Sequence, residues 1–275
     1  MTLDALHLRL LNAAVPRNYD TIGVMTPGVR GRIGVPMGAV RQAARDVLRA
    51  GAGRALVDEA LDPARIRSVR AHEVIEVIGL VIAGLRGITF AERLALTEAY
   101  LPLITNWATC DLFCGAMKPC REHPEESLAF IDGLLKSGDV WRIRVGLVLL
   151  LEHFAAAPWT ARALKMSLSA PVLRSARNAY YVSMALAWAL SVFFVEDPVR
   201  TEKALRDAVE RGKIDSVTAR RATQKVRDSF RVTRAQKADL SQNIAKSLAE
   251  RPPEKVPENA PPRTGVLAPP ALRIK

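Results

Sequence analysis

Aromatic residues make up only 5% of this 275-residue chain, and it has three cysteines, Cys110, Cys114 and Cys120. It contains no Gly-rich phosphate loop, no His-Glu-x-x-His, no Cys-x-x-Cys pair and no Gly-x-Ser-x-Gly elbow. Nucleotide hydrolases, zinc proteases and serine hydrolases each depend on one of those arrangements, so all three classes are disfavoured. Cys110 and Cys114 stand four apart with no histidine at ligand spacing nearby, so no metal is expected. Residues 1–15 carry Asp4 and Arg9 inside their apolar stretch, which predicts no secretory leader. An odd cysteine count in such a chain predicts reduced thiols inside a cell. Hairpin turn signals are missing between the β-branched residues, which argues against a β fold. Long uncharged runs are scarce as well. The 17-residue run 179–195 is at the lower limit for a membrane span. It holds two serines, two tyrosines and a central tryptophan, and no second run could partner it. It reads as a buried helix, with no membrane association.

What the chain does have is apolar residues, at 49%, and a formal net charge of +12. The first allows a sizeable core. The second attracts polyanions such as nucleic acid. From Arg251 to Lys275 lie seven of the 17 prolines and no hydrophobic period, the composition of a disordered tail. Residues 1–250 read as one domain of helices separated by short polar breaks. Strong apolar segments start at His72, Asn106, Trp141, Tyr180 and Val217, which are 34, 35, 39 and 37 residues apart. Weaker helical stretches lie between them at Ala91–Leu101, Glu125–Leu135 and Val199–Val209. Two helices per roughly 35–40 residues is the period of a HEAT or armadillo solenoid. The predicted fold is therefore an all-α, HEAT-like helical-repeat solenoid with a concave basic face. Pro124, Pro171 and Pro198 fall where a helix should start or has just ended, and Gly87 and Gly138 near predicted helix ends.

Within this pattern a few residues stand out for chemistry. Trp107 and Asp111 are four apart and share a helix face. Trp141 and Arg144 are three apart on the next inner helix, and Trp188 lies mid-run on the one after. In a stacked array such positions line up along the concave face. The alternative is structural: tryptophans in the core, and Asp111 buried as an ion pair with Arg144. From Arg211 to Lys237 there are nine Lys or Arg against two Asp. Arg220, Arg221, Lys225, Arg227, Arg231 and Arg234 are the candidate phosphate contacts there. A merely solvated helix face is the competing reading.

The ordered motifs resemble those of the AlkD family of DNA alkylation repair glycosylases. Asn106–Asp111 is similar to the family segment in which a tryptophan precedes the catalytic aspartate by four. Trp141–Arg144 resembles its W-x-x-R element, and Tyr180–Trp188 its aromatic-V-x-x-A-x-x-W helix. Gly34-Val35-Pro36 with Val40-Arg41 resembles its N-terminal element, with the proline displaced. Gln224–Val232 resembles its closing helix. The similarity covers roughly residues 20–240. It departs at Ser191, where the family commonly carries arginine or another polar residue, and around Ala108–Thr109, where a second aromatic or polar residue is frequent.

The resemblance implies a monofunctional glycosylase that excises cationic N3- or N7-alkylpurines from duplex DNA without base flipping. Asp111, Trp107 and Trp188 would be catalytic. Arg144, Trp141 and Tyr181, with the basic residues of 220–234, would bind DNA. No cofactor is implied. A monomer in the cytoplasm, associated with the nucleoid, is the expectation. The competing functions are a non-catalytic DNA-structure-binding solenoid and a protein-interaction scaffold.

Overall fold

A computed structural model describes residues 1–26, 29, 31–64, 69 and 71–252. The predicted tail falls mostly on 253–275 and lies outside the described residues. Among those described there are fifteen α-helices and no strand, as the helical period requires. They form two compact units, Met1–His123 and Pro124 onward.

The first unit contains α1 (Leu3–Asn12), α2 (Pro16–Met25), α3 (Met37–Arg49), α4 (Gly53–Leu61), α5 (His72–Gly84), α6 (Phe90–Tyr100) and α7 (Trp107–Ala116). Its centre is α5, packed between α3 and α7. A mostly apolar helix belongs inside a core, and α5 is buried from His72 through Gly79 and again from Val81 to Ala83, its polar His72, Glu73 and Glu76 included. Gly79 lets α6 come close: a Cβ there would lie 2.5 Å from the Tyr100 hydroxyl. That hydroxyl donates to the Ile75 carbonyl at 2.9 Å. Two charged side chains finish α5. Arg93, buried, donates to the carbonyls of Ile82, Ala83 and Leu85 and so caps the C-terminal end. Glu73, buried in the first turn, accepts the amides of Ile33, Gly34 and Val35 at 2.9, 2.7 and 3.1 Å. Gly34 has φ +91°, and a Cβ there would crowd the Tyr19 backbone at 2.9 Å. Only glycine fits this strap.

The second unit contains α8 (Pro124–Lys136), α9 (Val140–His153), α10 (Thr160–Ser167), α11 (Ala170–Asn178), α12 (Tyr180–Glu196), α13 (Pro198–Glu210), α14 (Ser216–Asp228) and α15 (Arg234–Ala249). Here α12 is central, between α9 and α14. It holds residues 180–195 of the uncharged run and ends on Glu196, and no described helix is long and apolar enough to cross a membrane. The predicted starts at 72, 106, 141, 180 and 217 match helices beginning at His72, Trp107, Val140, Tyr180 and Ser216. The longest interval, between α9 and α12, accommodates two helices instead of one, α10 and α11. Pro124 and Pro198 open α8 and α13, and Pro171 lies in the first turn of α11. Gly87 and Gly138 follow helix ends at φ +72° and +77°. The predicted closing helix 224–232 is instead the end of α14 and a turn leading to α15.

Candidate functional site

In the first unit the site residues stand on α7. Asn106 caps that helix: its Oδ1 accepts the Thr109 amide at 3.0 Å. Thr109, Cys110, Phe113 and Cys114 face the core. The other side of α7 is partly exposed, and there Trp107 and Asp111 share a face with Ala108, Leu112, Gly115 and Ala116. The Trp107 indole is held in place, since its Nε1 donates to the Met25 carbonyl at 2.9 Å. Trp107 and Asp111 are thus surface groups and not core fillers.

Beneath that face lies a set of buried polar groups that the sequence reading missed. The Asn106 amide donates to Thr109 Oγ1 at 3.0 Å. Thr109 Oγ1 is 3.4 Å from His72 Nδ1, and His72 Nε2 is 3.4 Å from Glu76 Oε1. Burial holds the His72 imidazole below its ordinary range. Burial, with the Glu73 charge beside it, pushes Glu76 up to about 8, against a smaller pull from Arg41.

In the second unit an aromatic and arginine cluster joins the N-terminal halves of α9, α12 and α14. Asp139 caps α9 by accepting the amides of Trp141 and Arg142 at 2.9 and 2.8 Å. The half-exposed Trp141 ring lies 4.8 Å from that of Tyr181, and Tyr181 packs edge-on to Tyr180 at 5.3 Å. Arg144 is buried, and its Nη1 donates to the Tyr181 carbonyl at 3.0 Å. Burial raises the Tyr181 hydroxyl above its ordinary value. From α14 the Arg221 guanidinium sits 4.8 Å over the Tyr180 ring and donates to Ser183 Oγ at 2.7 Å. Ser183 also meets Thr218 Oγ1 at 2.7 Å. Tyr180, Ser183 and Thr218 escaped notice as site residues; polar side chains inside an apolar run were the one available signal.

The remaining candidates have different settings. Trp188 lies seven residues after Tyr181 on the same half-exposed stripe of α12. Ser191, at the position where the resemblance breaks, is buried and donates to the Trp188 carbonyl at 2.7 Å. Arg220 and Arg227 on α14 are exposed, and Arg221 and Lys225 partly so. Arg231 and Arg234 are exposed in and after the turn. The sequence set is therefore divided between the units: Trp107 and Asp111 in the first, all the others in the second.

Among the described residues no group of three His, Cys, Asp or Glu could hold a metal ion. The three cysteines are buried and none forms a disulfide, and burial pushes Cys114 well above its usual range.

A family model described as DNA alkylation repair enzyme matches residues 17–226. The chain belongs to that family. No curated protein and no solved structure matches it. As a DNA alkylation repair enzyme it has DNA as its substrate, and its net charge of +12 suits a polyanion. The matched span runs from α2 into the last turn of α14 and includes both the α7 face and the aromatic–arginine cluster; α15 lies beyond it.

Proposed function

We propose that the chain is a monofunctional DNA glycosylase that hydrolyses the N-glycosidic bond of cationic N3- and N7-alkylpurines in duplex DNA without flipping the base. The observation that carries this reading is the pairing of Asp111 with the tethered Trp107 on one partly exposed face of α7, inside the family match. Alkylation at N3 or N7 makes the purine cationic and a good leaving group. The C1′–N9 bond breaks, its electron pair goes to the base, and the base departs neutral. The sugar is left as an oxocarbenium-like cation. The Asp111 carboxylate stabilises that cation and orients a water. Water adds to C1′ and loses its proton to the carboxylate or to solvent, leaving an abasic sugar. The electron-rich face of Trp107 favours the same positive charge, and Trp188, on α12, is assigned a supporting role in catalysis. Cationic lesions need little protonation of the leaving group, so no separate general acid is required.

Trp141 and Tyr181 meet the DNA backbone, with the buried Arg144 holding Tyr181 in place for it, and Arg220, Lys225, Arg227, Arg231 and Arg234 add phosphate contacts, while Arg221 orders Tyr180 and Ser183 from within the fold. The protein works as a monomer in the cytoplasm, at the nucleoid. Incubation with duplex DNA containing N7-methylguanine, followed by chromatography of the released base, tests the reading. Free 7-methylguanine and an intact abasic strand are expected. Tight, salt-sensitive binding with no released base would replace catalysis by structure-specific binding.

A further inference from the structure

We propose that the buried chain Asn106–Thr109–His72–Glu76 fixes the orientation of α7, and that Thr109 and His72 are positioning residues for Asp111 and Trp107. The proposal rests on the assignment of those two side chains to the reaction.

Thr109 is two residues from each of them on a 3.6-residue helix, so it points to the opposite side of α7. Four polar side chains are buried together there, with relative exposures of 6% for Asn106, 1% for Thr109, 3% for His72 and 3% for Glu76. Groups so placed are costly unless each finds a partner. Thr109 Oγ1 accepts from the Asn106 amide at 3.0 Å and lies 3.4 Å from His72 Nδ1. His72 Nε2 in turn faces Glu76 Oε1 at 3.4 Å; the Nε2-protonated tautomer of His72 would let Thr109 donate to Nδ1 and Nε2 donate to Glu76. At its far end the chain reaches α5, the buried centre of the unit, whose first turn is locked by the strap on Glu73. Helix α7 is thus pinned from below through Thr109 and from above by the Trp107 indole on Met25. Packing alone permits small rotations about a helix axis. A directional hydrogen-bond chain does not, and a misplacement of about 1 Å at a reacting group can cost roughly a hundredfold in rate.

Thr109→Val removes the hydroxyl and keeps the shape. With the variant shown to be folded by melting, we expect wild-type affinity for DNA. Single-turnover base release slows roughly ten- to hundredfold, and Thr109→Ser restores it. His72→Leu breaks the next link, and the double variant is no slower than the slower single one, because both cut one chain. Hydrogen exchange at the amides of 110–113 is faster in Thr109→Val; Thr109→Ala serves if the valine variant does not fold. Wild-type rates together with wild-type exchange in a folded Thr109 variant would overturn the proposal. If the wild-type protein releases no base, faster exchange in the variant still upholds the anchoring of α7, and the glycosylase assignment alone falls.

Discussion

Asp111→Asn keeps the size and hydrogen-bonding capacity of the side chain and removes its charge. If the charge stabilises the developing sugar cation, single-turnover base release falls by about a hundred- to a thousandfold, the effect of deleting one well-placed electrostatic group. Affinity for DNA stays the same or rises, since an anion has left a polyanion-binding surface. A structural role predicts the reverse pattern: breaking a buried ion pair lowers stability by about 3–5 kcal/mol. Base release and thermal melting on the one variant separate the two. Trp188 allows a parallel argument. It is half-exposed on α12, so Trp188→Ala should destabilise by less than the roughly 3–5 kcal/mol of a fully buried aromatic. The Ser191 bond to its carbonyl survives the change, because it involves backbone. Base release should slow while the melting temperature holds. A variant that simply unfolds would place Trp188 in the core.

At the scale of elements, α14 presents two kinds of arginine. Arg221 is spent within the fold, stacked on Tyr180 and bonded to Ser183. Arg220 and Arg227 are exposed. Arg227→Ala should weaken damaged and undamaged duplex alike and reduce the slope of log affinity against log salt by about 0.9, the signature of one lost phosphate contact; an unchanged slope in a filter-binding titration places it outside the interface. The inner helices were legible in the sequence because their apolar runs recur at nearly constant spacing, and prolines mark several starts. The extra pair α10 and α11 was not legible, since both are short, at 8 and 9 residues. The face shared by Trp107 and Asp111 followed from their i, i+4 spacing. The polar groups beneath it did not. Glu73 in a first helical turn reads as a solvent-facing acid favoured by the helix dipole. It turns inward instead, because its partners are backbone amides 38–40 residues away. Thr109 and His72 are 37 residues apart, beyond any local pattern.

For the molecule as a whole, the buried pair on α5 sets a dependence of stability on pH. Glu76 has its carboxyl raised from 4.5 to about 8 by burial and by the Glu73 charge. The folded state therefore holds this proton more tightly than the unfolded chain. The contribution to stability is greatest below 4.5 and declines as pH rises toward 8. His72 acts in the opposite sense: burial lowers its pKa from 6.5, so stability lost by charging it returns as pH rises to 6.5. Below 6.5 the two slopes oppose each other; above it only that of Glu76 remains. From 6.5 to 8 is 1.5 units, and at about 1.4 kcal/mol per unit the loss is about 2 kcal/mol. No other shifted carboxylate interferes there. Asp46, Glu92, Asp197 and Asp207 are all held down by hydrogen bonds, so they act only in the acid range. Tyr100 and Cys114 are pushed well above their usual values and titrate beyond the window. Denaturant melts of the wild-type protein should show stability falling from pH 6.5 to 8. Glu76→Gln cannot ionise and should be flat over that range, and more stable than wild type at its upper end. A slope that persists in Glu76→Gln would assign the alkaline loss to another group.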